Sequence, residues 1–151
     1  MEAVQILMYR IREVDASDDE ISEMIEHLHR ATSDFPALEQ SDYDEGHWWI
    51  GYLDNDPVSY AGVIPSSMYP SSGYFKRVGV LSGHRGNGLQ LRHMKAIERK
   101  AKSLGWAMIV SDTTGNTPSA NNFIRAGYRL FDPTYVWAFQ HTLYWKKDLN
   151  A

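Results

Sequence analysis

Apolar residues recur every three or four positions in two long segments, which is the spacing of a helix with one buried face. In the first segment these residues are Ile21, Met24, Ile25 and Leu28. Ser17 and Glu20 precede them in the Ser-x-x-Glu pattern of a capping box, which predicts that Ser17 opens this helix. In the second segment the apolar residues are Leu91, Met94, Ile97, Ala101 and Leu104, and Gly105 follows as the predicted helix end.

Alternating patterns and short apolar runs predict strands elsewhere in the chain. The predicted strands are residues 4–11, 48–53, 58–64, 74–80 and 106–111, with one or two more within 135–149. Residues 54–57 read Asp-Asn-Asp-Pro and predict a hairpin turn between two of these strands. Residues 31–46 are polar and residues 65–73 are rich in proline and serine, so both segments are predicted to be irregular.

The loop after residues 74–80 is the most informative part of the chain. It contains Gly83, Gly86 and Gly88 and leads directly into the second helix. Glycines let backbone N–H groups approach a phosphate, and the helix N-terminus adds partial positive charge. Arg85 adds a forked cationic donor. A tight turn that needs positive φ is the simpler alternative.

Two better-known phosphate loops are excluded by the pattern. No Gly-Lys-Ser/Thr follows, so this is not a Walker A loop, and Leu91 stands where a dinucleotide fingerprint has its third glycine. The helix between strands 74–80 and 106–111 instead predicts a crossover that makes these two strands parallel.

A second helix N-terminus is predicted at the same edge of the sheet. Thr117 is its predicted cap and Pro118 suits its first position. Ala120, Phe123, Ile124 and Ala126 are its apolar residues, and Gly127 ends it. Two such N-termini beside the carboxyl ends of parallel strands predict a crevice that binds an anion.

These motifs together resemble the GNAT superfamily of N-acetyltransferases. Residues 85–90 read Arg-Gly-Asn-Gly-Leu-Gln and match the family loop Arg/Gln-x-x-Gly-x-Gly/Ala at Arg85 and Gly88, but depart from it at Gln90. Asn116, Ser119 and Ala120, followed by Phe123 and Gly127-Tyr128, are similar to the family pattern Asn-x-x-Ala/Ser…Tyr…Gly-Phe. Phe123 occupies the position where many members carry a tyrosine that acts as general acid.

The resemblance implies an α/β (α+β) fold, with one GNAT-like domain over residues 1–151. Its sheet is expected to be mixed, mostly antiparallel and twisted, with a splayed parallel strand pair, and to be flanked by helices. The implied activity is transfer of an acetyl group from acetyl-coenzyme A to a primary amine by direct attack in a ternary complex. The implied cofactor residues are Val78, Gly79, Val80, Arg85, Gly86, Asn87, Gly88, Leu89, Gln90, Asn116, Ser119, Asn122 and Phe123.

Catalysis of this reaction needs groups that move protons. The amine must lose a proton before it attacks, and a carboxylate can take that proton through water. Asp44, Glu45 and Asp112 are the candidate carboxylates, and Tyr128 and Tyr74 are the candidate donors in place of the missing tyrosine. Tyr128, Asp112 and Glu45 are the predicted catalytic residues.

The charge distribution points to the two substrates. Residues 1–75 contain 3 Lys/Arg and 15 Asp/Glu, whereas residues 76–151 contain 12 and 4, which gives balances of −12 and +8. The basic half contains the predicted phosphate loop, as an anionic cofactor would favour. The acidic half is predicted to draw a cationic amine to Asp44, Glu45 and Trp48, although solvation of one surface explains the acids equally well.

An aromatic cluster adjoins this predicted acceptor site and contains Trp48, Trp49, Tyr52 and Tyr60. Successive residues of a strand point to opposite faces, so one of the two tryptophans is expected to face away from the core, towards the acceptor. The acceptor itself stays open among polyamine, antibiotic, amino acid, peptide N-terminus and protein lysine.

Composition narrows the remaining classes. The 151 residues contain 43% hydrophobic residues and no cysteine, which suits one domain without disulfides or thiolate chemistry. No signal peptide or membrane-length apolar run is recognised, so a cytoplasmic protein without membrane contact is expected. The histidines lack zinc-ligand spacing, and His93 is placed on the basic helix face, so no metal is predicted.

Two other functions compete with the enzyme. A non-catalytic acyl-coenzyme A binding or sensing module is the main alternative, because Phe123 lacks the hydroxyl of the usual proton donor. A nucleic-acid binder is disfavoured by the absence of a recognised motif. The expected partners are a small-molecule or peptide amine, and a homodimer is allowed.

Overall fold

The computed structural model describes residues 8–149, which form a mixed sheet with helices on both faces. The strands are β1 (Tyr9–Val14), β2 (His47–Leu53), β3 (Asp56–Ser66), β4 (Ser72–Val80), β5 (Met108–Thr114), β6 (Arg129–Leu130) and β7 (Thr142–Asp148). The helices are α1 (Asp19–Thr32), α2 (Gln40–Glu45), α3 (Leu89–Ser103) and α4 (Thr117–Arg125). A 3-10 turn, Ser82–His84, lies between β4 and α3.

The strand order is β1-β2-β3-β4-β5-β7-β6, and only β4 and β5 pair in parallel. The predicted fold class is therefore confirmed, including the hairpin of β2 and β3 and the crossover helix α3. Of the first predicted strand, residues 4–7 lie outside the described residues, and β1 continues beyond the prediction to Val14. At the other end, β7 occupies only the second half of the predicted segment, and residues 131–141 form a loop.

Each face of the sheet has its own apolar core. Ile25 and Leu28 of α1 pack with Trp48 and Tyr60 on one face. Met94 and Ile97 of α3 pack on the other face in the cluster that contains Trp49. Trp48 and Trp49 do alternate, but both are buried, with 0% and 4% of their surface exposed. The prediction that one of them faces an acceptor is wrong, because helices cover both faces of the sheet.

Two local predictions about the acidic half are also wrong. Asp18, rather than Ser17, caps α1, since its carboxylate accepts from the N–H groups of Glu20 and Ile21. Ser17 instead donates to Asp15. Residues 31–46 were expected to be irregular, but they include the short helix α2, whose Asp42 side chain accepts from the N–H of Glu39.

His93 is a core residue and not part of the basic face. Its ring is fully buried in α3, and its Nε2 lies 2.8 Å from the hydroxyl of Ser59, which is also buried. Nδ1 has no hydrogen-bond partner among the described residues. Burial, with a smaller contribution from the charge of Arg92, lowers the pKa of His93 from 6.5 to about 3. The imidazole is therefore neutral in the folded protein at pH 7.

We expect this buried histidine to make the fold acid-sensitive. The unfolded chain binds the proton more tightly, so stability is complete above pH 6.5 and is lost as the pH falls towards about 3. The loss approaches about 1.4 kcal/mol per pH unit within that range. Urea unfolding at several pH values between 4 and 7 gives the free energy of unfolding as a function of pH. This free energy should change less steeply with pH in His93→Gln, and as steeply as in the unsubstituted protein in the exposed His27→Gln. Equal slopes for His93→Gln and the unsubstituted protein would contradict this account.

Candidate active site between the splayed strands

A gap between β4 and β5 forms the centre of the site. The two strands pair only through Ser72–Tyr74 and Met108–Val110, and then separate. The hydroxyl of Ser111 donates to the carbonyl of Phe75 at 2.9 Å and closes the narrow end of the gap. Within residues 8–149, no strand pairs with the β5-facing edge of β4 beyond Tyr74. The middle of the sheet thus presents free backbone N–H and C=O groups, which an extended ligand can pair with.

A β-bulge in β4 lies beside the open end of the ladder. Gly62 of β3 pairs with Arg77 and Val63 pairs with Phe75, so Lys76 is one extra residue on β4. A bulge re-aims the side chains around it. Lys76 Nζ lies 3.8 Å from the Asp42 carboxylate of α2, and the Arg77 guanidinium lies over the Phe35 ring that follows α1. The bulge therefore turns two neighbouring cations towards the face covered by α1 and α2.

The N-terminus of α3 is open to a ligand. Gly88 is its N-cap residue, with φ 72°, and no side chain of residues 8–149 caps this helix, whereas Asp18 caps α1 and Asn116 caps α4. The first N–H groups of a helix have no partner within the helix, so these donors point into the loop. Gly86 also has positive φ, of 83°. The predicted loop thus has the backbone conformation and the free donors of a phosphate site.

Side chains hold the loop in this shape. The Asn87 amide donates to the carbonyl of His84 at 3.0 Å and to the Tyr9 hydroxyl at 3.2 Å. Arg85 is exposed, and its Nε lies 3.4 Å from the carbonyl of Val80. Its guanidinium is therefore available beside the open N-terminus of α3.

Asn116 has a different local role from the predicted one. Its side-chain oxygen accepts from the N–H of Ser119 at 3.1 Å, so Asn116 is the N-cap of α4 and Thr117 is the first helical residue. The prediction that Thr117 caps this helix is wrong. An asparagine oxygen reaches the N–H three residues ahead when its own backbone is extended, which is the usual N-cap geometry.

Gln90 links the two helix N-termini that flank the gap. Its amide donates to the Ser119 hydroxyl at 3.2 Å and accepts from the Asn122 amide at 3.0 Å. The residue that departs from the family loop is therefore the bridge between α3 and α4. Sequence reasoning missed this bridge, because Gln90 and Ser119 are 29 residues apart and nothing in the local pattern pairs them.

Two predicted site residues belong to the core instead. Phe123 is 2% exposed and packs between Phe75, Tyr128 and Trp145, which leaves no ring surface for a cofactor. Tyr128 is 5% exposed, and its hydroxyl has no hydrogen-bond partner among the described residues. Burial, and then the charge of Glu98, raises the pKa of Tyr128 well above its usual value. A buried hydroxyl is poorly placed to exchange a proton with a substrate, so this position does not support the predicted catalytic role of Tyr128.

A carboxylate and two aromatic side chains meet at the narrow end of the gap. The Tyr74 hydroxyl donates to Asp112, and Trp137 Nε1 donates to the same carboxylate oxygen at 2.9 Å. Burial, followed by the charge of Asp112 and its hydrogen bond, raises the pKa of Tyr74 well above its usual value. The structure thus brings together two predicted candidates, Asp112 and Tyr74. It adds Trp137, which the sequence analysis missed because it stands in the long loop before β7.

No contact within residues 8–149 joins the three predicted acceptor residues to this gap. Trp48 is fully buried and donates through Nε1 to the carbonyl of Asp42. Asp44 lines a cavity of about 430 Å³ with Glu13, Asp15 and His47, at the β1 and β2 edge of the sheet. Strands lie about 4.8 Å apart, so β2 is roughly 10 Å from β4. Glu45 is exposed on the same short helix as Asp44, and its predicted catalytic role is not supported by this position.

The fold agrees with comparisons against known proteins. The model of the Acetyltransferase (GNAT) family matches residues 8–128. An IAA acetyltransferase from Bacillus cereus has a similar structure, with a TM-score of 0.75, 11% identity, and coverage of 94% of this chain and 100% of that one. The ribosomal-protein-S18-alanine N-acetyltransferase of Escherichia coli gives a TM-score of 0.74 and 9% identity, with coverage of 95% and 96%. Among curated protein sequences, none matches this chain.

A third similar structure contains coenzyme A. It is the Bacillus subtilis acetyltransferase in complex with CoA, with a TM-score of 0.73, 14% identity, and coverage of 95% of this chain and 100% of that one. At such identities these structures support the fold alone. The family match extends over most of the chain, and the chain therefore belongs to the GNAT family of acetyltransferases. Its chemistry is acetyl transfer that depends on an acyl-coenzyme A.

Residues 8–149 contain neither a membrane-spanning helix nor a metal-binding cluster. No helix in that range has the length and apolar character needed to cross a membrane. No group of three or more His, Cys, Asp or Glu side chains there has an arrangement that could hold a metal ion.

Gly88 and Gly105 provide a matched test of the α3 N-terminus. They lie at opposite ends of the same helix with φ of 72° and 76°, and neither has a neighbour that an added Cβ would meet. Alanine at either position should cost about 1–2 kcal/mol of stability through left-handed strain. Only Gly88→Ala should also weaken acetyl-coenzyme A binding, by about tenfold or more, because its Cβ hinders the approach of backbone to phosphate.

Calorimetric titration of the folded variants with acetyl-coenzyme A measures this difference. Equal affinity in Gly88→Ala and Gly105→Ala would place the phosphates elsewhere. The unsubstituted protein provides a further check, because a bound ligand must raise its melting temperature by mass action. No thermal shift at millimolar acetyl-coenzyme A would contradict the cofactor site.

The role of Asn116 can be separated from cofactor contact. Asn116→Ala should lower the free energy of unfolding by about 1 kcal/mol through loss of the N-cap, whereas Asn116→Ser keeps a capping oxygen and should lose much less. Chemical denaturation measures both values. If both variants lose the same affinity for acetyl-coenzyme A while their stabilities differ, Asn116 contacts the cofactor directly as well as capping α4.

Proposed function

We propose that this protein is an N-acetyltransferase that transfers the acetyl group of acetyl-coenzyme A to a primary amine by direct attack in a ternary complex. The observation that carries the proposal is the carboxylate of Asp112 at the narrow end of the gap between β4 and β5, held there by Tyr74 and Trp137. Family membership supports acetyl transfer, and this geometry supports an amine as the acceptor.

The chain's own residues suit the cofactor. The free edge of β4 at Val78, Gly79 and Val80 offers backbone groups to the amides of a pantetheine arm. The uncapped N-terminus of α3 and the guanidinium of Arg85 offer donors to its phosphates. Gly86, Asn87, Leu89 and Gln90 shape this cradle, and Gln90 holds Ser119 and Asn122 at its far side. When bound, acetyl-coenzyme A supplies the acetyl thioester.

Asp112 is the proposed base. A primary amine is mostly protonated at neutral pH and must lose a proton to become a nucleophile. Within residues 8–149, both hydrogen bonds to Asp112 come from neutral donors, and no cation lies within 4 Å of this carboxylate. The carboxylate therefore keeps its negative charge available to an incoming ammonium, and takes the proton directly or through water.

Tyr74 is the proposed donor of a proton to the coenzyme A thiolate as it leaves. Its hydroxyl donates to Asp112, so a proton that Asp112 takes from the amine can replace the one that Tyr74 gives to the leaving thiolate. It lies at the last paired position of β4, where the gap begins. Tyr74 thus replaces the hydroxyl that Phe123 lacks, and the buried Tyr128 is not needed.

The test compares two carboxylates in one assay. Asp112→Asn should lower kcat/KM for amine acetylation by about 10²–10⁴-fold, the usual contribution of a general base, with little change in acetyl-coenzyme A affinity. Glu23→Gln, which alters an exposed carboxylate of α1, should leave both values unchanged. Product formation is followed with a broad panel of small-molecule and peptide amines.

Three outcomes separate the possibilities. A folded Asp112→Asn protein with full turnover would reject the base. Acetyl-coenzyme A binding without turnover on any amine would favour the alternative function, a non-catalytic acyl-coenzyme A binding or sensing module. Failure to bind acetyl-coenzyme A at all would overturn the proposed reaction.

A further inference from the structure

Arg77 is a cation at the β4 bulge that no carboxylate of residues 8–149 contacts. Its side chain is half-buried at the β4 bulge, with Nη1 donating to the carbonyl of Lys76 at 2.8 Å and the guanidinium 4.8 Å from the centre of the Phe35 ring. Nε is buried and has no hydrogen-bond partner among residues 8–149. No described carboxylate lies within 4 Å of Arg77, whereas neighbouring Lys76 is paired with Asp42.

Donors of Arg77 that lack an acceptor lower the stability of the fold unless a ligand supplies one. A buried donor left without an acceptor loses the hydrogen bonds that it makes to water in the unfolded chain. The guanidinium carries five N–H donors in a rigid fork that matches a carboxylate, and the protein uses one of them on a backbone carbonyl. The Phe35 ring contacts the guanidinium and limits the positions that the fork can take, which favours binding of a planar anion.

The position of Arg77 relates this anion site to the proposed base. Lys76 and Arg77 point to the sheet face that α1 and α2 cover. Phe75 packs with α3 on the other face, so the preceding residue of the strand, Tyr74, also points to the face of α1 and α2. Burial raises the pKa of Tyr74, and the charge of Arg77 partly offsets that rise, so the guanidinium lies within electrostatic range of the Tyr74 hydroxyl. Tyr74 in turn donates to Asp112. The Tyr74 hydroxyl, at the narrow end of the gap, is thus hydrogen-bonded to Asp112 and lies on the same sheet face as Arg77.

The cofactor's phosphates are a poor match for Arg77. The cradle for them begins after Val80, three residues further along β4, which is roughly 10 Å. The helix that supplies this cradle, α3, also covers the opposite face of the sheet. The anion that meets Arg77 therefore belongs to the other substrate.

We infer that the acceptor is an amino acid or a close analogue, whose carboxylate binds Arg77 while its amine faces Asp112. This inference rests on the proposed function and narrows it, because it replaces the predicted cationic acceptor with a zwitterionic one. Phe35 is 55% exposed beside the guanidinium and adds apolar surface for a side chain.

The experiment compares three acceptors that share a side chain: phenylalanine, phenylalaninamide and phenethylamine. Only the first has a carboxylate. The amine of the amide is less basic than that of phenylalanine and the amine of phenethylamine is more basic, so basicity alone cannot place phenylalanine first. The same trios are made for leucine and methionine, and kcat/KM is measured for each compound with saturating acetyl-coenzyme A.

For at least one trio, we expect kcat/KM of the unsubstituted protein to be about 10- to 100-fold higher for the amino acid than for its amide and its amine, the effect of hydrogen bonds to a charged group. Arg77→Gln should remove that preference by lowering the value for the amino acid alone, and Arg77→Lys should restore part of it. Arg129→Gln, which alters an exposed arginine paired with Asp148, should leave the preference intact. Thermal unfolding checks that each variant is folded.

The other outcomes test this inference separately from the proposed function. Equal acetylation across every trio would reject an anion site for the acceptor while acetyl transfer stands. A loss of acetyl-coenzyme A affinity in Arg77→Gln, with the acceptor preference unchanged, would assign Arg77 to the cofactor. If no compound is acetylated, thermal shifts decide: a shift with an amino acid but not with its amide or amine supports the Arg77 site, and no shift rejects it.

Discussion

The site depends on how early the parallel ladder between β4 and β5 ends. Three residue pairs join the strands, and the Ser111 hydroxyl bonded to the Phe75 carbonyl fixes the point where they part. A longer ladder would pair the edge of β4 with β5 and leave no backbone groups for a ligand. The free edge is tolerable in the middle of a sheet because neighbouring strands and helices hold β4 on its other sides, and because a ligand can supply the missing partner.

The bulge at Lys76 gives this gap two different sides. On one side, the chain enters a glycine loop and the uncapped N-terminus of α3, where backbone donors dominate. On the other, Arg77 and Asp112 present opposite charges around Tyr74. In the proposed reaction these two sides take two substrates of different chemistry, a long phosphorylated one and a short one with both charges. Their meeting point is the narrow end of the gap, where Asp112 lies two residues beyond the last paired position of β5.

The acidic half of the chain behaves differently from the simple charge argument. Asp42 pairs with Lys76, Asp18 caps α1, and Asp44 lines a cavity at the far edge of the sheet. The negative charge of these three residues therefore serves local structure and solvation rather than the acceptor. Asp112, the carboxylate that residues 8–149 place at the gap, lies in the basic half of the sequence, where a count over segments conceals it.

The amino-acid sequence by itself determined the elements whose signals are local. The stripe of α3, the hairpin turn of β2 and β3, and the glycines before α3 depend on spacing and backbone freedom within a few residues, and the family resemblance rested on the same segments. The tertiary structure alone decided which side chains face water and which distant residues meet. His93 is buried because α3 packs against β3, where the ring meets Ser59, 34 residues away in the sequence. Both tryptophans are buried because helices cover both faces of the sheet. Asp112 meets Trp137 because the loop before β7 brings that side chain to it. Periodicity reports which residues share a face, but burial and long-range contact depend on what packs against that face, and no local pattern contains that information.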